Sequence, residues 1–191
     1  HEALERLEKS LALVDEDRIN QRIFINSEIA WNYGRLEEPH PEEALKYLNI
    51  AKELGREDAW IYSQIGYQLG YNLETRKEAL EHFDKALELG QNDAWINIEI
   101  GICYKELENY EEAIKYYLIA NKINKGKNVW LLSDMAWVYG VIGNYDEELK
   151  YLEKAKKLGR DDSWIYAEYG KVYYKLEQYE KGLEFFATAQ E

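Results

Sequence analysis

The stretch "NDAWINIEIG", residues 92–101, decides the fold because it recurs along the chain. Thirty-five residues earlier the sequence reads "EDAWIYSQIG", residues 57–66. A large aromatic residue occupies this phase in five successive places, at intervals of 34 to 36 residues: Phe24, Trp60, Trp95, Trp130 and Trp164. An interval of this length, repeated through a whole chain, is typical of an array of two-helix units.

Small residues recur at fixed positions after each of these aromatic residues. Six residues on stand Ala30, Gly66, Gly101, Ala136 and Gly170. A second small position holds Ala44, Ala79, Ala113 and Gly182, and a third holds Ala51, Ala86, Ala120, Ala155 and Ala189. Small residues at a fixed phase indicate where two helices approach closely. Glu148 is the exception at the second position, and it predicts looser or rotated packing in the fourth unit.

Each unit is predicted to contain two helices joined by a turn. In the third unit, apolar residues recur at helical spacing in two runs, residues 96–107 and 110–123, and strand-like alternation is absent. Residues that cap helix N-termini precede the first helices: Asp58, Asp93, Asn128 and Asp162. Glycines that favour a left-handed helix end close the second helices: Gly55, Gly90 and Gly159.

This pattern resembles the tetratricopeptide repeat, a helix-turn-helix unit of about 34 residues. The run of a large apolar residue, a small residue and then a tyrosine appears as "IGICY" at 100–104 and "YGKVY" at 169–173, and the second-helix signature appears as "YEEAIKYYLIA" at 110–120. The resemblance implies an all-α fold, a right-handed α-solenoid of antiparallel helix pairs that forms a single domain over residues 1–191. Residues 1–14 are predicted to be the second helix of a truncated repeat, and repeats 1 to 5 to span 19–55, 56–90, 91–125, 126–159 and 160–191.

Charge and composition limit the partners. The chain has 24 Lys and Arg against 37 Asp and Glu, a net charge of −13, which is the wrong sign for binding nucleic acid or anionic membrane surfaces. The longest apolar run, "MAWVYGVIG" at 135–143, is too short to span a membrane. The lone cysteine, Cys103, cannot form an internal disulfide, and together these features predict a cytoplasmic protein.

The sequence offers no candidate catalytic, metal or cofactor site. His1, His40 and His82 stand in unrelated settings, and no two of them have metal-ligand spacing on one helix. The chain contains no glycine-rich phosphate loop, nucleophile elbow or paired-cysteine motif. We therefore predict that these residues form neither an enzyme nor a cofactor-binding protein.

The resemblance implies that the first helices line a concave groove that holds a segment of a partner. The position seven residues after each repeated aromatic residue varies, and it is predicted to give specificity: Trp31, Tyr67, Ile102, Trp137 and Lys171. The position four residues after each repeated aromatic residue is predicted to point an acidic or amide group into the groove: Glu28, Gln64, Glu99, Asp134 and Glu168. The repeated aromatic residues themselves, Phe24, Trp60, Trp95, Trp130 and Trp164, are predicted to pack one unit against the next, and half-exposure would allow them a second role in the groove.

The resulting functional prediction is a non-catalytic scaffold, part of a larger and bacterial protein, that binds a protein or peptide with apolar and basic residues. Repeats that clamp chaperone tails carry Lys, Arg and Asn on this face, whereas this chain has Ser27, Ser63 and Glu28, which argues against that subfamily. Two alternatives stay open. The array could self-associate or pack intramolecularly through its truncated ends, or it could be the sensor arm of a protein whose effector domain lies elsewhere.

Overall fold

The computed structural model describes residues 2–190, and this part of the chain is entirely helical. A single 3-10 turn, Leu73–Thr75, precedes α5. The α-helices are α1 (Glu2–Leu13), α2 (Ile19–Tyr33), α3 (Pro41–Glu53), α4 (Ala59–Gly70), α5 (Arg76–Glu88), α6 (Ala94–Glu106), α7 (Tyr110–Ile123), α8 (Val129–Val141), α9 (Tyr145–Lys157), α10 (Ser163–Lys175) and α11 (Tyr179–Thr188). No strand occurs between residues 2 and 190, which confirms the all-α prediction.

The helices pack as consecutive pairs within two compact units, which meet in the sequence at Asn92 and Asp93. In the first unit α2 packs on α3 and α4 on α5, while α1 lies against α2 and α3 against α4. In the second unit the pairs are α6 with α7, α8 with α9 and α10 with α11, and α7 and α9 contact the first helix of the following pair. The single continuous array over residues 1–191 stays a prediction.

Local hydrogen bonds set the helix ends where the sequence predicted them. The side chains of Asp58, Asp93, Asn128 and Asp162 each accept from the backbone N–H three residues on, over 2.9, 3.0, 3.1 and 3.1 Å. These bonds satisfy donors that a helix N-terminus leaves unpaired. Gly55, Gly90 and Gly159 adopt φ angles of +104°, +95° and +97°, the left-handed conformation that ends a helix at little cost.

The core of each helix pair depends on a match between two positions, the small residue on the first helix and a large residue on the second. Where the first helix has glycine, an aromatic ring lies over it: Phe83 on Gly66, Tyr117 on Gly101 and Phe186 on Gly170. A Cβ atom on Gly66 would lie 3.0 Å from Phe83, and one on Gly170 would lie 2.6 Å from Phe186. Where the first helix has alanine, the corresponding large residue is leucine: Leu48 with Ala30 and Leu152 with Ala136.

Glu148 occupies a small-residue position on α9, and the backbone of α8 makes room for it. A Cβ atom on Gly140 would lie 2.7 Å from both carboxyl oxygens of Glu148, so the missing side chain of Gly140 provides the space. The α8–α9 pair therefore keeps buried Leu152 and Ala155 in its core, rather than loosening around the larger side chain.

None of the helices between residues 2 and 190 is long and apolar enough to span a membrane.

Candidate functional site

In the first unit, an aromatic pair joins α2 to α4. The indole ring of Trp31, which is 39% exposed, lies 6.5 Å from the ring of Trp60 at an angle of 47°. Tyr67 is half-buried, and its hydroxyl accepts a 2.7 Å hydrogen bond from the hydroxyl of Tyr71. Glu28 is half-buried and Gln64 is buried. The structure thus brings a varying position of one repeat against the repeated tryptophan of the next.

An arginine that the sequence analysis missed lies on the Trp60 ring of this pair. The guanidinium carbon of Arg56 lies 4.0 Å from the centre of the Trp60 ring, close enough for a cation–π interaction. The same group donates a 2.7 Å hydrogen bond to Ser27 Oγ on α2 and pairs with Asp58 at 3.0 Å. Arg56 therefore connects α2 to the start of α4.

The second unit repeats this arrangement with Arg160. Its guanidinium carbon lies 3.9 Å from the ring centre of Trp164 and 4.8 Å from that of Trp130, and Asp162 accepts from its Nε at 3.2 Å. The sequence signal is the pair "GREDAW" at 55–60 and "GRDDSW" at 159–164, in which an arginine precedes the tryptophan by four residues.

The repeated aromatic residues differ in burial, although the sequence predicted one packing role for all of them. Trp60, Trp95 and Trp164 are half-buried, as expected for side chains that pack and also reach the surface. Phe24 and Trp130 are 61% and 72% exposed. Arg160 belongs to the following repeat, and its guanidinium lies over the largely exposed ring of Trp130. The contact of Trp130 with that repeat is therefore a cation–π contact.

In the second unit, Trp137 and Asp134 on α8 share a lysine from α6. Trp137 is 38% exposed, and its ring makes an edge contact with Tyr110 at 6.2 Å. The ammonium of Lys105 lies 5.8 Å from the centre of the Trp137 ring and 3.2 Å from the carboxylate of Asp134. Ile102, the corresponding varying position on α6, is half-buried. These contacts hold the Trp137 ring in one orientation.

The other predicted acidic positions of this unit have different surroundings. Glu99 on α6 is half-buried, and burial raises the pKa of its carboxyl group to about 7. Glu168 on α10 is buried, and it accepts a 2.7 Å hydrogen bond from Lys171, the varying position of the same helix. Two residues predicted to have separate roles thus form one ion pair.

No group of three or more His, Cys, Asp and Glu side chains within residues 2–190 could hold a metal ion. The rings of His40 and His82 contact different tyrosines, Tyr33 at 6.2 Å and Tyr62 at 6.0 Å. Burial is the main cause that lowers the pKa of His82. His1 lies outside the described residues.

Comparison with known proteins identifies one helix pair, α6 and α7, by its sequence. Residues 96–126 match the sequence profile of the tetratricopeptide repeat family. The chain has the tetratricopeptide repeat fold. No curated protein matches the sequence.

Solved tetratricopeptide repeat structures cover most of the chain at low identity. MamA from Desulfovibrio magneticus RS-1 has a TM-score of 0.78 at 19% identity, over 88% of this chain and 93% of its own. YrrB, described as a TPR protein with an unusual peptide-binding site, has a TM-score of 0.76 at 22% identity, over 97% of this chain and 91% of its own. PilF from Pseudomonas aeruginosa has a TM-score of 0.70 at 19% identity, over 90% and 77%. Tetratricopeptide repeat proteins are generally non-catalytic scaffolds.

Proposed function

We propose that this chain is a non-catalytic scaffold whose first helices bind an extended or helical segment of a partner protein in a concave groove. The observation that carries the proposal is the pair of half-exposed indoles, Trp31 and Trp137, each held in place by residues of a neighbouring repeat. Large aromatic side chains that are already oriented lose little conformational freedom on binding, so they make effective anchors for an apolar side chain of a partner.

The polar residues around these anchors suggest the charge of the partner. Glu28 and Glu99 are half-buried on first helices, and the chain as a whole carries a charge of −13. A segment with basic residues next to its apolar anchors would be attracted to such a surface and aligned on it. Tyr67, Ile102 and Gln64 complete the proposed contact positions, together with Asp134, Glu168 and Lys171.

The similarity to YrrB supports binding of a peptide as the mode of recognition, since the description of that protein names a peptide-binding site. The cytoplasmic and bacterial setting, and the existence of further domains, stay predictions from the sequence.

Peptide display on the purified chain tests the proposal. Random twelve-residue peptides are selected, and the affinities of those recovered are measured by calorimetry against the parent and the double variant W31A/W137A. We expect at least a tenfold loss of affinity, because both anchors are removed. The matched control is I119A/L183A, which truncates two exposed apolar side chains on second helices and should leave the affinity unchanged.

Two results would contradict the proposal. One is recovery of peptides that bind W31A/W137A as tightly as the parent while its circular dichroism shows an intact fold. The other is a selection that recovers no peptide, together with a sedimentation profile in which the chain forms dimers as its concentration rises. The second result would favour self-association as the function.

A further inference from the structure

Glu148 is a buried carboxyl group to which no neighbouring residue of the described chain donates a hydrogen bond. Its side chain is 4% exposed, and it lies against Gly140 in a position that is alanine in repeats 1 to 3. A buried charge is costly unless it is paired and hydrogen-bonded. The structure therefore contains a carboxyl group whose partner is not supplied by the fold.

This carboxyl group lines a small cavity that is open to solvent between α8, α9 and α10. The cavity has a volume of about 170 Å³. Its walls combine aromatic, acidic and basic side chains: Trp137, Tyr145, Glu148, Glu168, Lys171 and Lys175. Lys171 already donates a 2.7 Å hydrogen bond to Glu168, so Glu168 is paired and Glu148 is not.

Glu148 is the acidic group of the cavity that a cation would find without an ion pair, because Lys171 already pairs with Glu168. Burial, and then the negative charge of Glu168, raise the pKa of Glu148 to about 7, and the charge of Lys171 opposes this only in part. The remaining titratable groups that face the cavity are Tyr145 on α9 and Lys175 on α10, and the α8 residues that line it are uncharged. A cation that reaches Glu148 would convert it to the carboxylate and pair with it.

The walls suit a guanidinium group better than a metal ion or an ammonium. A guanidinium forms paired hydrogen bonds with a carboxylate, stacks on aromatic rings and loses its hydration more readily than an ammonium. Trp137 and Tyr145 offer aromatic surface beside the two carboxyl groups. A divalent metal would need more oxygen ligands than the one free carboxyl group provides.

We propose that the cavity around Glu148 is a subsite for an arginine side chain of the partner, with the guanidinium hydrogen-bonded to Glu148 and set against Trp137. That the arginine belongs to a partner protein rests on the proposed function. That the cavity binds a guanidinium group does not rest on it. The subsite is particular to repeats 4 and 5, because the corresponding position of repeats 1 to 3 is alanine.

Nuclear magnetic resonance with a capped amino acid tests the subsite without a peptide. The six tryptophan indole signals of the ¹⁵N-labelled chain are followed, and that of Trp137 is assigned from the variant W137F. N-acetyl-L-arginine amide should shift the Trp137 signal and saturate with a dissociation constant of about 1 mM, as expected for a ligand of this size. N-acetyl-L-citrulline amide, which has nearly the same shape but no charge, should cause no saturable shift.

Variants of adjacent glutamates provide the matched comparison. E148Q should weaken binding of the capped arginine at least tenfold, and E147Q, on the same helix and paired with Lys150 at 2.7 Å, should leave it unchanged. E148A places alanine where repeats 1 to 3 have it, so it provides a second variant should E148Q fold poorly. Equal binding by citrulline, or full affinity in both Glu148 variants, would overturn the proposal.

The outcome also separates this proposal from the function on which it draws. Capped arginine that binds, in a chain that selects no peptide, would support the subsite and contradict peptide binding. Selected peptides that bind equally well when arginine is replaced by citrulline would support peptide binding and contradict the arginine subsite. Free L-arginine that binds ten times more tightly than the capped form would indicate a small-molecule site and overturn the assignment to a partner's side chain.

Discussion

Substitution of Gly101 by alanine tests the match between first and second helices most directly. The new methyl group would overlap the ring of Tyr117, whose side chain is fully buried and closely surrounded. Overpacking of this kind costs about 1–3 kcal/mol, and the close approach places this site at the upper end. Alanine recovers about 1 kcal/mol through its higher helix propensity, so we expect a net loss of about 2 kcal/mol in the free energy of unfolding.

A second substitution should restore the lost stability. Y117L alone leaves a cavity over Gly101 and should cost about 2 kcal/mol. The double variant G101A/Y117L recreates the alanine–leucine combination of Ala30 with Leu48, so it should lie within about 1 kcal/mol of the parent. The expected coupling energy is therefore about 3–4 kcal/mol in favour of the double variant.

Urea denaturation followed by circular dichroism measures all four proteins of this cycle. The comparison is valid where the dependence of the unfolding free energy on urea concentration is the same for each, because a changed slope indicates a changed unfolding reaction. Losses that simply add, so that the double variant is about 4 kcal/mol less stable than the parent, would refute the reasoning. The contact between the two positions would then contribute nothing specific to the helix pair.

Three further predictions concern buried polar groups and the arginine contacts. Y117F should stabilise the chain by about 1 kcal/mol in urea denaturation, because the buried Tyr117 hydroxyl has no hydrogen-bond partner; a loss of stability would show that the hydroxyl is satisfied. R160K should cost about 1 kcal/mol, since lysine cannot stack between two indoles, whereas R18K at an exposed site should cost nothing. E148Q should be up to about 3 kcal/mol more stable than the parent at pH 8, and the difference should shrink as the pH falls and vanish below about pH 4; a difference independent of pH would contradict the raised pKa.

The sign of the pH effect follows from the direction of the shift. The folded state holds a proton on Glu148 up to about pH 7, whereas the unfolded chain releases it near its ordinary pKa of 4.5. Between these values the folded state binds more protons, so the free energy of unfolding falls as the pH rises through that window. Glutamine has no proton to lose, and E148Q therefore lacks this part of the pH dependence.

The fold could be predicted from the sequence because its determinants are local or periodic. The caps at Asp58 and Asp93 and the helix stop at Gly55 act within a few residues, and the 35-residue period identifies the repeat. Arg160 was missed as a contact residue because one of its two indole partners, Trp130, lies thirty residues earlier in the chain. The exposure of Trp130 was missed because an identical residue at an identical phase need not have identical neighbours.

Glu148 shows where a departure from the repeat carries functional information. The sequence marked it as an anomaly, but only the structure relates it to Gly140, which gives the carboxyl group its space, and to the cavity it lines. Alanine at this position would fill the role that Ala44, Ala79 and Ala113 fill in other repeats, without the cost of burying an acid. A structural role therefore does not explain the glutamate. The proposed binding of an arginine side chain would explain it, because such a ligand converts the same buried group from a cost to the fold into an attractive contact.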